Sequence, residues 1–186
     1  GLGAIVDGAR NAGLLEFVLG AEGAAADADI VFLCVPTPQG DDGSADLRYI
    51  EQAAAQIAPV LKPGAVVVNK STVPVGSTRA VERVLQRTDV AVVSNPEFLR
   101  EGTAVHDFLH PDRVVIGSAD RAAAERVADL YVSIDTPVHI TDPASAETIK
   151  YAANGFLAMK ISFVNAVAAM CGAVGADVAA VVDGIG

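Results

Sequence analysis

The chain has 186 residues, of which 52% are hydrophobic, and a formal net charge of −10 at pH 7. Such acidity argues against nucleic acid or an anionic membrane as the main partner. Backbone amides and helix N-termini can still bind a phosphorylated ligand locally. The two cysteines, Cys34 and Cys171, lie far apart in apolar segments, which favours buried, reduced thiols and a cytoplasmic location.

The ends of the chain predict a fragment of a longer protein, because it begins at Gly1 without Met and stops at Gly186 in mid-pattern. No signal peptide is recognisable at the start. No uninterrupted apolar stretch reaches the ~20 residues that a membrane-spanning helix needs. We therefore expect no membrane segment.

Strand-like and helix-like segments alternate along most of the chain, which favours an α/β fold. Strands are predicted at 14–19, 29–35, 65–69, 90–93, 113–117 and 138–140. Helices are predicted at 1–12, 21–28, 46–61 with Asp46 as N-cap, 78–86 and 122–130. The continuous apolar run at 29–35 predicts a strand that is covered on both faces.

The pattern changes near Asp142 and Pro143, where a mostly helical segment begins. A long helix is predicted over 146–173, and Asp177 is a plausible cap for a short last helix. The fold class is therefore α/β: a partial Rossmann-like, doubly wound parallel sheet over 1–142, followed by a long central helix in 143–186.

Two loops that follow predicted strands carry uncharged donors. Ligands of doubly wound sheets bind at the edge where the strands end. Thr37 lies in the loop Val-Pro-Thr-Pro at 35–38, and Ser71 and Thr72 lie in the loop after the next strand. Each loop could border a cofactor, but ordinary turn chemistry is the alternative, and the residues alone favour it.

A third loop, 95–102, presents Glu97 and Glu101 after an apolar strand. A carboxylate at a partly water-excluded edge of the sheet can act as a general base, and a solvated acidic loop is the alternative.

Lys150 and Asn154 are four residues apart on the long helix, so that they share one face. They could stabilise an oxyanion. A plain ion pair between Glu147 and Lys150 is the alternative that the spacing favours.

The histidines His106, His110 and His139 show no spacing typical of a metal site, because no third ligand accompanies the pair at 106 and 110. We predict no metal.

Taken in order, these motifs resemble the UDP-glucose/GDP-mannose dehydrogenase family of nucleotide-sugar 6-dehydrogenases. The resemblance rests on Val-Pro-Thr-Pro at 35–38, Asp-Gly-Ser-Ala-Asp at 42–46, Ser-Thr-Val-Pro-Val-Gly at 71–76, Asn-Pro-Glu-Phe-Leu-Arg-Glu-Gly at 95–102, His-Pro-Asp-Arg-Val-Val-Ile-Gly at 110–117 and Lys-Tyr-Ala-Ala-Asn at 150–154. It covers nearly the whole chain from about residue 29, and the ordered set is more specific than any single motif.

The resemblance implies an NAD-dependent oxidation of a nucleotide-sugar C6 alcohol to the carboxylate, UDP-glucose to UDP-glucuronate. A GDP-mannose 6-dehydrogenase and a noncatalytic dimerisation fragment remain alternatives. The family reaction passes through a thiohemiacetal and a thioester on a cysteine. The resemblance also implies a homodimer through the helix after Ala146.

The resemblance implies a role for each site residue. The cofactor-binding residues would be Val35, Pro36, Thr37, Pro38, Ser71, Thr72, Val73 and Glu101. The substrate-binding residues would be Glu97, Phe98, Leu99, Arg100, Glu101, Lys150 and Asn154. Glu97 would be the general acid/base, Thr72 would position a catalytic water, and Lys150 with Asn154 would stabilise oxyanionic intermediates.

Two family features are missing from this sequence. It contains no G-x-G-x-x-G fingerprint, and neither Cys34 nor Cys171 matches the family's nucleophilic cysteine. We expect the first to lie upstream of Gly1, and the cysteine and the UDP-binding domain beyond Gly186. Residues 1–142 would then be an incomplete NAD-binding domain, and the isolated chain should be inactive.

Overall fold

The structure is a computed structural model that describes residues 1–41 and 43–186. Asp42, the first residue of the motif at 42–46, lies outside the described residues. The described chain divides into two compact units, Gly1–Thr148 and Ile149–Gly186. The predicted domain boundary at 142/143 stays a prediction.

Helices and strands alternate in the first unit. In chain order the elements are α1 (Leu2–Asn11), α2 (Ala21–Ala25), β1 (Ile30–Leu33), α3 (Arg48–Ile57), β2 (Val66–Asn69), α4 (Ser77–Leu85), β3 (Ala91–Ser94), α5 (Ala104–Leu109), β4 (Val114–Gly117), α6 (Arg121–Ala128), a 3-10 turn (Asp129–Tyr131), β5 (Val138–Thr141), α7 (Pro143–Val174) and α8 (Val178–Ile185).

Three local expectations are wrong. The run at 14–19 forms no strand and pairs with none of the described strands, and Leu14 stays 82% exposed. Helix α5 was not expected. Asp46 lies one position too early to be the N-cap of α3, which is Leu47. Its carboxylate instead accepts the backbone N–H of Arg48 at 3.0 Å.

The five strands form one sheet in the order β1-β2-β3-β4-β5. Strands β1, β2 and β3 are parallel, whereas β4 pairs with β3 in the antiparallel sense at Ser94 and Gly117, and β5 is parallel to β4. The sheet is therefore mixed rather than wholly parallel. Crossovers between parallel strands are right-handed. Reversing the strand direction while the sheet grows the same way moves the crossover helix to the other face.

The two faces carry separate apolar cores, as this topology requires. Helices α3 and α4 pack with Val67 and Val92 on one face, and α6 packs with Val66, Val68 and Val93 on the other. Successive strand residues alternate between faces. Strand β2 can therefore be a continuous apolar run, because both of its faces are buried.

Strand β1 is an edge strand of the described sheet, and this overturns one prediction. The run at 29–35 was expected to be covered on both faces, but Phe32 is 37% exposed. Cys34 at its end is also exposed, whereas Cys171 is buried as expected, and both are free thiols.

In the second unit, α7 continues from Ile149 to Val174 and α8 follows after a turn. The Asp177 carboxylate accepts the backbone N–H of Ala179 at 2.9 Å, which confirms the predicted cap. Many apolar side chains of this unit are exposed, among them Phe156, Met159, Ile161, Phe163 and Met170. By length and composition α7 could cross a bilayer, although Asn154 and Lys160 interrupt its apolar run.

Candidate functional site

Hydrogen bonds join the loops that follow β1 and β2. The Thr37 hydroxyl donates to the Thr72 carbonyl at 2.9 Å, and the Ser71 hydroxyl donates to the Val35 carbonyl at 2.6 Å. Both loops leave the carboxyl ends of adjacent parallel strands. The structure thus brings together Val35, Thr37, Ser71 and Thr72. The two hydroxyl protons are used between the loops, which leaves oxygen lone pairs and backbone groups to meet a ligand.

The loop after β3 carries the two predicted carboxylates. Glu97 is partly buried, and its Oε2 accepts the backbone N–H of Leu99 at 2.5 Å, which fixes the direction of the carboxylate. Glu101 is exposed. The next side chain, Phe98, lies under the Arg113 guanidinium, 4.3 Å from its carbon to the ring centroid. The His-Pro-Asp-Arg motif and the Asn-Pro-Glu motif therefore meet in space.

Asp107 holds this loop from α5. Its carboxylate accepts three hydrogen bonds from Arg100, from the backbone N–H at 2.9 Å and from two guanidinium nitrogens at 3.1 and 2.7 Å, and a fourth from the Thr103 hydroxyl at 3.0 Å. The hydrogen bonds from the Arg100 side chain are the main reason that the pKa of Asp107 lies well below its usual range. Sequence reasoning missed Asp107, although it lies seven residues after Arg100.

A buried polar network lies where β2 and β3 end, and sequence reasoning missed it as well. Asn95 is fully buried, and its Oδ1 accepts the Tyr131 hydroxyl at 2.6 Å and the Lys70 ammonium at 3.2 Å. Burial raises the pKa of Tyr131 to about 12. The signal in the sequence was a polar residue directly after each of two apolar strands, Lys70 before the loop 71–76 and Asn95 at the start of the loop 95–102.

Glu147, near the start of α7, caps α4. Its carboxylate is buried and accepts the backbone N–H of Gly76 at 2.6 Å, the backbone N–H of Thr78 at 2.8 Å and the Thr78 hydroxyl at 2.7 Å. The N-cap residue of α4 itself is Gly76, which has no side chain that could accept these hydrogen bonds. Both oxygens of Glu147 are thus engaged with the end of the loop 71–76.

Lys150 and Asn154 lie four residues apart on α7, as predicted. Lys150 is buried and Asn154 is exposed. Their meeting with Glu97 and Thr72 stays a prediction.

The described residues offer no support for a metal site. The rings of His106 and His110 lie 4.9 Å apart between centroids. Within residues 1–41 and 43–186, no group of three His, Cys, Asp or Glu side chains could hold a metal ion. A cleft of about 480 Å³ lies elsewhere, at the amino ends of β2 and β3, and it contains none of the predicted site residues.

Comparison with known protein families decides what this arrangement belongs to. Residues 1–135 match the NAD binding domain of the UDP-glucose/GDP-mannose dehydrogenase family, and residues 144–186 match its central domain. The chain belongs to this family. The resemblance read from the ordered motifs is confirmed, and the Rossmann-like fold with its long helix agrees with the structures of family members.

Individual relatives agree closely with this chain. It is 47% identical to UDP-glucose 6-dehydrogenase YwqF of Bacillus subtilis, over 94% of this chain and 41% of that protein. The UDP-glucose dehydrogenase of Pyrobaculum islandicum is 43% identical with a TM-score of 0.90, over 97% of this chain and 44% of the other. A GDP-mannose dehydrogenase of Pseudomonas aeruginosa is 33% identical with a TM-score of 0.93, over 100% and 45%. The chain therefore spans less than half the length of these relatives.

The residues at the carboxyl edge of β1 and β2 fit the family's cofactor, NAD. The segments 34–40 and 70–76 contain no carboxylate that would repel a diphosphate, and they supply hydroxyls and backbone groups. In addition, both polar atoms of the Asn69 amide, at the end of β2, are buried without a hydrogen-bond partner among the described residues. Such a group is usually satisfied by water or a ligand. The family's glycine-rich fingerprint is not part of this sequence.

Proposed function

We propose that the full-length protein oxidises the C6 alcohol of a nucleotide sugar to the carboxylate with NAD, and that it converts UDP-glucose to UDP-glucuronate. The identity of 47% with a UDP-glucose 6-dehydrogenase over 94% of this chain carries the choice of substrate. The hydrogen bonds between the loops that follow β1 and β2 support a cofactor-binding site at the carboxyl ends of these strands.

Bound NAD supplies the hydride acceptor. We propose that Val35, Pro36, Thr37, Pro38, Ser71, Thr72, Val73 and Glu101 border it. Thr72, whose carbonyl is held by Thr37, would also place a catalytic water.

Glu97 is the proposed general acid/base. The hydrogen bond from the Leu99 backbone N–H fixes the direction of its carboxylate, and partial burial limits the access of bulk water to that carboxylate. Residues 97–101 would form the substrate-binding loop, and the ion pair between Asp107 and Arg100 would stabilise that loop.

Lys150 and Asn154 are the proposed oxyanion donors. An ammonium and an amide on one face of α7 can donate hydrogen bonds to the same developing negative charge. These donors cost little reorganisation, because a helix holds them in place.

A homodimer through the helix after Ala146 is part of this proposal. The exposed apolar side chains of α7 need cover, and a second copy would supply it. The same pairing would keep α7 out of a bilayer, in accord with a cytoplasmic location. The noncatalytic alternative predicts a dimer that binds no NAD.

The decisive experiment follows NADH formation by the purified full-length protein with UDP-glucose and with GDP-mannose. Oxidation of an alcohol to a carboxylate removes two hydrides, so that we expect two NADH for each UDP-glucose consumed. Preference for GDP-mannose would favour the second family activity, which the TM-score of 0.93 to a GDP-mannose dehydrogenase keeps open. Turnover of neither sugar would refute the proposal.

Substitutions in the full-length enzyme test the residue roles. Glu97→Gln should let a covalent sugar–enzyme thioester accumulate, visible by intact-protein mass, because the hydrolytic water lacks its base. Lys150→Ala should slow the first oxidation steps. Glu51→Gln on the exposed side of α3 is the matched control and should turn over normally. Parent-like turnover by Glu97→Gln would remove Glu97 from the mechanism.

A further inference from the structure

Asn95 joins more structural elements than its position in a loop would suggest. Its backbone N–H donates to the Asn69 carbonyl at 2.9 Å, and its Nδ2 donates to the Val115 carbonyl at 2.8 Å. Its Oδ1 accepts hydrogen bonds from the Tyr131 hydroxyl and the Lys70 ammonium. One side chain therefore links the ends of β2 and β3 to β4 and to the 3-10 turn after α6.

Lys70 and Tyr131 complete the network. The Lys70 ammonium lies 3.4 Å from the Tyr131 hydroxyl and 5.7 Å from the centroid of its ring. The hydroxyl donates its proton to Asn95, so that its lone pairs face the ammonium. Because each group orients the next one, the Asn95 amide has a single favourable orientation.

The network lies at the base of both candidate site loops. Lys70 directly precedes Ser71 and Thr72, whose contacts hold the loop after β1. Asn95 directly precedes Pro96, and a residue before proline is restricted to extended conformations, while proline fixes its own φ. The backbone position of Asn95 therefore restricts where Glu97, two residues later, can lie.

We propose that Lys70, Asn95 and Tyr131 are positioning residues that hold the loops 71–76 and 95–102 in register with each other. The inference rests on the proposed function where it concerns turnover. Burying the Asn95 amide and partly burying the Lys70 ammonium is costly unless their hydrogen-bond partners are well placed. In return, the network holds Thr72 and Glu97 in one fixed arrangement relative to each other.

Tyr131→Phe is the sharpest test. It deletes the 2.6 Å hydrogen bond to Asn95 but keeps the ring beside Lys70 and near Phe108, whose centroid lies 6.4 Å away. Ser118→Ala is the matched control, because it removes a hydroxyl that donates to the Val92 carbonyl at 3.3 Å, toward the other end of β3.

Two measurements on the full-length protein decide the matter. Hydrogen exchange should accelerate at least about threefold in peptides covering both 71–76 and 95–102 of Tyr131→Phe, with little change elsewhere, because the two loops share the lost anchor. The kcat with UDP-glucose and NAD should fall about tenfold while both KM values stay within about twofold, since small misplacements of reacting groups slow turnover strongly. Ser118→Ala should do neither.

Several results would overturn the proposal. These are unchanged exchange in either loop, acceleration spread evenly over the protein, or faster loop exchange with parent-like kcat. If the parent protein oxidises no nucleotide sugar, the proposed function fails on that observation alone. The exchange data then still decide whether the network positions the two loops.

Discussion

The carboxylate of Glu147 allows a quantitative prediction, because its contacts are few and well defined. Glu147→Gln keeps the size of the side chain and removes its charge. One amide oxygen can still accept from the backbone N–H and the hydroxyl of Thr78. The new NH₂ group then faces the backbone N–H of Gly76, which loses its acceptor at 2.6 Å.

The expected loss follows from that one contact. A hydrogen bond to a charged group contributes about 1.5–3 kcal/mol, and a buried donor left without an acceptor costs a similar amount. We expect Glu147→Gln to lower the free energy of opening at the start of α4 by about 2 kcal/mol, or about 30-fold in the opening equilibrium. Glu147→Ala loses all three contacts, and about 4 kcal/mol is expected.

Hydrogen exchange of the full-length protein, read on peptides that cover residues 71–80, measures this opening directly. Glu125→Gln is the control, because Glu125 lies exposed on α6 in an ion pair with Arg121, for which less than about 1 kcal/mol is expected. If Glu147→Gln exchanged at the parent rate while the control behaved as expected, the capping of α4 from α7 would be refuted.

Two further predictions concern the first unit. Because the pKa of Asp107 is depressed in the fold, its contribution to stability is complete above the unfolded pKa of about 3.9 and is lost as the pH falls toward the folded value. Asp107→Asn should therefore lose less stability than the parent between about pH 5 and pH 3, measured by thermal unfolding. Gly117→Ala should destabilise by about 1–3 kcal/mol, because the new Cβ would lie 2.5 Å from the Cβ of Ala146.

Controls separate these effects from nonspecific ones. Asp7→Asn removes an exposed aspartate of α1 and should leave the acid profile of the parent unchanged. Gly8→Ala adds a Cβ that meets nothing within 4 Å and should be neutral or stabilising. Equal acid sensitivity of Asp107→Asn and the parent, or normal stability of Gly117→Ala, would contradict the respective argument.

Local patterns in the sequence determined much of this fold. Apolar runs located β2, β3 and β4 within a residue or two, because strands buried on both faces need continuous apolar side chains, and the more exposed β5 was located as closely. The long helix and its successor were also recognisable, since helical periodicity and a capping aspartate are local signals. The ordered motifs were sufficient to indicate the family, and to place Thr37, Ser71 and Glu97 at strand ends.

Only the tertiary structure decided which of these residues meet. Strand order and the reversal at β4 depend on pairing between distant segments, and no local pattern records that pairing. The partners of Arg100, Lys70 and Gly76 are Asp107, Tyr131 and Glu147, which lie 7, 61 and 71 residues away along the chain. A buried polar group takes whichever partner the fold brings within hydrogen-bond distance, so that its role is a property of the packed chain and not of its neighbours in sequence.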